Sequence, residues 1–237
     1  MKVEIWSDIV CPFCYIGKRK FEQALQQFGD KEDIDIVWRS FQLMPDIQPK
    51  PGQNTYAMLA ETKGISQQQA KQMSDHVTTV AAEVGLTYHL DKAVVANTLN
   101  AHRLTHLAAK HGLQDKAEER LFTAYFTEAK DINDHEVLAQ LGTEIGLDAD
   151  EVRQMLQSDA YAEEVKHDQY QARQVGVRGV PFFVFNDRYA VSGAQPSDVF
   201  LGALQQSWSE WKREKPTVLA SADAAADGAF CGPDGNC

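Results

Sequence analysis

The stretch VEIWSDIV near the start of the chain alternates apolar and polar positions and is rich in Val and Ile, which predicts a β-strand. From Pro12 the spacing changes. Tyr15, Phe21, Ala24, Leu25 and Phe28 fall on one face of a 3.6-residue period, which predicts a helix ended by Gly29. Pro12 suits the first turn of that helix, because its missing N–H would have had no partner there. DIDIVWRSFQLMP, over 33–45, predicts a second strand that runs into the proline-rich turn PDIQPKPG. The result is a β-α-β unit with a parallel strand pair.

From about residue 54 to residue 174 the pattern is helical, with short polar joints and no convincing strand. ISQQQAKQMSDHVTTVAAEVGL carries Ser66 with Gln69 three residues later, a capping box. DKAVVANTLNAHRLTHLAAKHG predicts an amphipathic helix stopped at Gly112. LQDKAEERLFTAYFTEAKD, NDHEVLAQLGTEIG and DADEVRQML follow, the last capped by Asp148. Strand signals return in GVRGVPFFVFNDRYAVSGAQP, which predicts strands over 182–185 and 189–192 around a turn at Asn186-Asp187. A final helix, PSDVFLGALQQSWSEW, closes the pattern.

A chain of 237 residues, 43% hydrophobic and 24% charged, reads as a water-soluble globular protein. Its formal charge of −11 argues against nucleic acid or an anionic membrane as partner. No apolar run approaches the roughly 20 residues needed to span a bilayer. The opening residues have no continuous apolar stretch of the secretory kind, so the expected location is the cytoplasm. Thiols stay reduced there, and a close cysteine pair points to catalysis or metal binding before a structural staple.

Cys11 and Cys14 form such a pair, in SDIVCPFCYIG. Zinc would need two close pairs, and the remaining cysteines, Cys231 and Cys237, are separated by five residues. His102 and His106 can share a helix face, but no HExxH glutamate accompanies them, so no metal is expected. Burial as two small hydrophobes does not call for a proline and an aromatic residue between them. A redox dithiol accounts for the pattern. The predicted strand-to-helix junction puts Cys11 at a helix N-cap, where unpaired N–H groups and the helix dipole favour a thiolate. Cys11 is then the attacking sulfur and Cys14 the resolving one. Lys18, one turn below Cys14, adds positive charge nearby, although KRK over 18–20 is also what a solvated helix face carries.

CPFC at such a junction resembles the active site of the thioredoxin superfamily. The long helical segment narrows the resemblance to the DsbA family, and within it to the FrnE-like branch related to 2-hydroxychromene-2-carboxylate isomerase. The residues that carry it are SDIVCPFCYIG (7–17), WRSFQLMP (38–45), NTLNAHRL (97–104), GVRGVPFFVFN (176–186) and VSGAQP (191–196). The resemblance spans about residues 1–212. It implies an α/β thioredoxin fold with an inserted all-helical domain. Residues 1–50 and 175–215 would make the thioredoxin-like part and 54–174 the insertion, whose last helix would pack back on the thioredoxin part. It also implies a cis peptide bond at Val180–Pro181 opposite the dithiol, with Pro12, Phe13, Val180 and Pro181 docking substrate. Asn97 and His102 would face the cleft.

The implied activity is thiol–disulfide exchange, of the reductase or isomerase type. Substrates would be disulfide-containing proteins or small thiols. No tightly bound cofactor is implied; glutathione is a candidate co-substrate, and the thioredoxin or glutathione system a candidate electron donor. The isomerase and kappa-class glutathione transferase relatives carry serine at the position of Cys11 and bind glutathione. Two cysteines here favour redox chemistry over that alternative, and over a chaperone-like binding protein. Past Pro216 small and acidic residues dominate, which predicts a flexible tail over 216–237. Within it Gly-Pro-Asp-Gly predicts a turn that brings Cys231 and Cys237 together as a second pair, a candidate shuttle to the first. FrnE-like proteins are known to carry such a pair.

Overall fold

The computed structural model describes residues 1–50 and 52–214. Cys231, Cys237 and the tail expected over 216–237 lie outside the described residues. Strand β1 (Lys2–Ser7) pairs in parallel with β2 (Asp35–Ser40) across helix α1 (Pro12–Gln27). The hairpin β3 (Phe182–Phe185) and β4 (Tyr189–Ser192) joins the other edge antiparallel, giving the order β2-β1-β3-β4. Asn186 and Asp187 both take positive φ at the hairpin turn, and the Arg188 N–H donates to Phe185 O at 3.1 Å. Short polar side chains tolerate that backbone.

The inserted helices are α2 (Thr55–Lys63), α3 (Gln67–Glu83), α4 (Leu99–Lys110), α5 (Gln114–Phe122), α6 (His135–Glu144), α7 (Ala149–Leu156) and α8 (Ala162–Val175). The chain closes with α9 (Ser197–Glu214). The Ser66–Gln69 capping box forms in both directions, and Asp148 accepts the Glu151 N–H. Three elements depart from the sequence pattern. β2 stops at Ser40, where the chain leaves the sheet. The helix expected from about residue 91 begins only at Leu99, because Val94 makes an isolated bridge to Asn54 and the Asn97 side chain turns the backbone. α5 passes into a turn of π-helix, Thr123–Thr127.

Period-2 alternation in β1 assigns its two faces. Val3 and Ile5 pack with Phe21 of α1 and with Phe183, Phe185, Phe200 and Leu204, so α1 and α9 cover one face. Trp6 points the other way, against Ala172, Val177 and Val184, and donates its indole N–H to Asp168 O at 3.1 Å. α8 therefore lies on the sheet. Glu4 is buried on that same face, where Arg39 pairs with it at 2.6 Å and with Asp168 at 3.1 Å. A second, larger core runs from Ile9, Cys11, Cys14 and Tyr15 into Leu104, Leu121, Phe122 and Phe126 of the helical insertion. The dithiol end of α1 is thus built into the insertion's own core.

Candidate active site

Cys11 is the N-cap of α1, with φ −86° and ψ 110°, and Pro12 opens the helix behind it. The Cys11 backbone is held by its N–H to Asp8 O at 3.0 Å. Its thiol donates to Val180 O at 3.5 Å, and the Val180–Pro181 peptide bond is cis. The Pro181 ring fits against α1 only because residue 17 is glycine. A Cβ there would stand 2.9 Å from Pro181 Cγ. Cys11 and Cys14 are both unbridged thiols. Cys14, 1% exposed, lies behind Cys11. Burial pushes the Cys14 thiol well up, the hydrogen bond and charge of Cys11 add to this, and the Asp8 backbone and Ser7 hydroxyl pull it back.

In front of Cys11 lies a groove of about 430 Å³. Val10, Pro12 and Phe13 form one wall and Leu43 and Met44 the next. Met58, Leu59, Met73, Val77 and Leu90 of the insertion close it, and Lys63 is the one cation among its lining residues. Phe13 and Leu43 are 41% and 45% exposed, so the rim presents apolar surface to water beside the reactive sulfur. Tyr88 ties the insertion to this end of α1, donating to Pro12 O at 2.8 Å, and burial raises its phenol pKa far above the usual value.

Neither Asn97 nor His102 faces this groove, which corrects the expectation from the resemblance. His102 is wholly buried, with Nε2 at 3.3 Å from Asp8 Oδ1. Asp8 Oδ2 accepts the Leu43 N–H at 2.8 Å, so the pair fixes the segment that carries the Leu43–Met44 wall. Asn97 is spent on backbone. Its amide donates to Pro45 O and Ile47 O, and its carbonyl oxygen accepts from Leu99 N and Gln42 Nε2. His106 binds Asp168 and Ser40, at 3.2 and 3.0 Å, and so shares no ligand site with His102. Among the described residues no group of three or more His, Cys, Asp or Glu could hold a metal ion.

Lys18 is neither solvated nor a free charge for the dithiol. It is 2% exposed and enclosed by Glu22, by Glu119 at 3.1 Å and by Asp115 at 3.5 Å. Sequence reasoning missed Ser7, Asp8 and the wall of Met58, Leu59 and Met73. Ser7 and Asp8 stood in the quoted motif but read only as breaks in a strand pattern. The methionines belong to helices remote in sequence and carried no signal.

The sequence matches the DSBA-like thioredoxin domain over residues 2–205, and the chain belongs to that family. A probable DsbA oxidoreductase from Streptomyces coelicolor, SCO1869, superimposes with a TM-score of 0.85 at 41% identity, over 99% of this chain and 97% of that one. An uncharacterised protein of Bacillus subtilis, YwbO, is 26% identical over 85% of this chain and 94% of its own length. The cytosolic disulfide reductase DsbM from Pseudomonas aeruginosa shares the fold, with a TM-score of 0.59 at 16% identity over 90% of this chain and 98% of that one. The fold is the DsbA-like thioredoxin fold with a helical insertion. Among the described residues no helix is long and apolar enough to cross a membrane.

Proposed function

We propose that this protein is a thiol–disulfide oxidoreductase of the reductase or isomerase type, in the FrnE-like branch, working on disulfides flanked by apolar groups in the cytoplasm. The observation that carries the reading is the Cys11 sulfur at a helix N-terminus, opening on an apolar groove, with the buried Cys14 thiol directly behind it. The DsbM fold neighbour, a cytosolic disulfide reductase, adds support by analogy.

Cys11 attacks one sulfur of the substrate disulfide as a thiolate, with the helix N-terminus favouring the negative charge. A Cys11–substrate disulfide forms and the other substrate sulfur leaves, taking up a proton. Val180 O, 3.5 Å from the Cys11 sulfur, marks the backbone edge on which the substrate chain docks, beside Pro181. Pro12 and Phe13 flank the same sulfur. Cys14 then resolves the mixed disulfide. A thiol reductant of the thioredoxin or glutathione type restores the dithiol, with glutathione as co-substrate and no bound cofactor.

The test is insulin reduction combined with a redox titration of the Cys11–Cys14 pair against glutathione. Turnover that requires both cysteines supports the reading. Activity retained in Cys11→Ser with glutathione bound would make it a glutathione-dependent isomerase or transferase. Function retained in the Cys11→Ser, Cys14→Ser double variant would make it a chaperone-like binding protein.

A further inference from the structure

Ser7 ends β1 and is 1% exposed. Its backbone is held on the sheet, opposite Ser40 in the parallel register, and its C=O accepts the Phe41 N–H at 3.0 Å. Its hydroxyl has no hydrogen-bond partner among the described residues. An unpaired buried hydroxyl costs on the order of 1–3 kcal/mol, so its presence here calls for a reason. The group it faces is the Cys14 sulfur, toward which the Asp8 backbone also turns.

Cys14 needs such help. The thiol is fully buried, and burial is the largest influence holding it protonated. Lys18, one turn further along α1, is taken up by Glu22, Glu119 and Asp115 and brings no uncommitted charge. Negative charge on this sulfur is then met by neutral donors, and the idle hydroxyl is one of them.

We propose that Ser7 is a further catalytic residue, donating a hydrogen bond to the Cys14 sulfur as it becomes the resolving thiolate. The inference rests on the dithiol chemistry proposed above. With substrate held on Cys11 through a disulfide, Cys14 gives its proton to solvent and its thiolate attacks the Cys11 sulfur. The Cys11–Cys14 bond forms as the Cys11–substrate bond breaks, and the substrate sulfur leaves as a thiolate that takes up a proton. The substrate disulfide has then gained two electrons and the protein dithiol has lost two. Ser7 keeps its own proton throughout. In the resting dithiol it is unengaged; in the resolving state it is satisfied.

The experiment mixes reduced protein with excess aromatic disulfide in a stopped-flow instrument, in full-length chain carrying Cys231→Ser and Cys237→Ser so that only two thiols report. The first release of aromatic thiol follows attack by Cys11, and the second follows resolution by Cys14. Ser7→Ala is expected to leave the first phase unchanged and slow the second about tenfold near neutral pH. The deficit should shrink as pH rises and Cys14 ionises without help. Thermal stability should hold or increase, since an unpaired hydroxyl has been removed; a merely structural serine would lower it. Ser7→Thr, which keeps the donor, should recover the second phase, and Ser7→Val, of the same shape without the donor, should not. A second phase in Ser7→Ala or Ser7→Val as fast as in wild type, or a deficit that ignores pH, overturns the inference. Absence of the second phase in the wild type itself would instead defeat the proposed function.

Discussion

Helix α1 meets the helical insertion on two sides, and the two contacts are opposite in kind. On one side, Cys11, Pro12 and Phe13 face α2 and α3 across a groove of Met, Leu and Val side chains that touch little but water. On the other, Tyr15, Lys18, Arg19 and Glu22 face Asp115 and Glu119 of α5. There the Tyr15 hydroxyl donates to Glu119 at 2.6 Å, and Arg19 pairs with both Glu22 and Glu119. Every polar group on that second side has a partner, whereas the apolar surface of the first is unspent. A saturated ionic seam fixes position, and an open apolar groove beside a reactive sulfur binds something. The same insertion supplies both, so it aligns the dithiol and builds the substrate surface at once.

The largest effect should come from Cys11→Ser, which is expected to cut disulfide reduction by at least roughly a thousandfold, because the attacking sulfur is gone. Insulin turnover measures it. Next comes the groove. Leu59→Asp should raise KM for a disulfide peptide with apolar flanks about tenfold and leave kcat nearly unchanged, since a charge is placed where uniform apolar binding occurs. An unchanged KM would mean that the groove does not hold substrate.

Lys18→Met tests the seam by the opposite signature. It strips the shared cation from Glu22, Glu119 and Asp115 and should cost about 1–3 kcal/mol of stability in urea titration, with KM unmoved. The carboxylates are about one-third or more exposed, which keeps the expected cost below that of a fully buried network. Gly17→Ala sits between the two regions. Its Cβ would press on Pro181 Cγ, so the backbone opposite Cys11 must give way, with about 1–2 kcal/mol of destabilisation and a several-fold loss of kcat/KM.

The smallest effect belongs to Glu118, wholly buried on α5. Burial first, and then the charges of Asp115 and Asp8, push its carboxyl up to about 8 against an ordinary 4.5. The folded chain holds that proton to higher pH than the unfolded chain does. This contribution to stability is therefore present below about pH 4.5 and is lost as pH rises toward 8. Glu118→Gln should remove the slope, giving a higher Tm than wild type at pH 8 and a similar one at pH 4.5. Parallel Tm curves for the two proteins would show that Glu118 is ionised in the fold.

What was legible in the sequence was whatever depends on neighbours along the chain. The 3.6-residue face from Tyr15 to Leu25, the Ser66–Gln69 cap and the 182–192 hairpin all appear as their local patterns require. These are set by side-chain period and by backbone groups a few residues apart. Phe28 marks the limit of that rule. It has the helical spacing, yet its backbone is extended at the helix end, and its ring is buried edge-on against Trp208 of α9.

Tertiary structure alone decided the roles of polar residues. Asp8 and Ser7 read as interruptions of a strand, because nothing local reveals that His102 lies 94 positions away against one and that the Cys14 sulfur faces the other. Lys18 read as exposed or as a helper of the dithiol until α5 placed Asp115 and Glu119 around its ammonium. Asn97 and His102, whose motif pointed to the cleft, turned out to hold its wall from behind. The physical reason is the same in each case. Apolar periodicity is enforced by a solvent boundary that every residue of an element shares, whereas a buried polar group is specified by one partner, and only the folded chain says which residue that is.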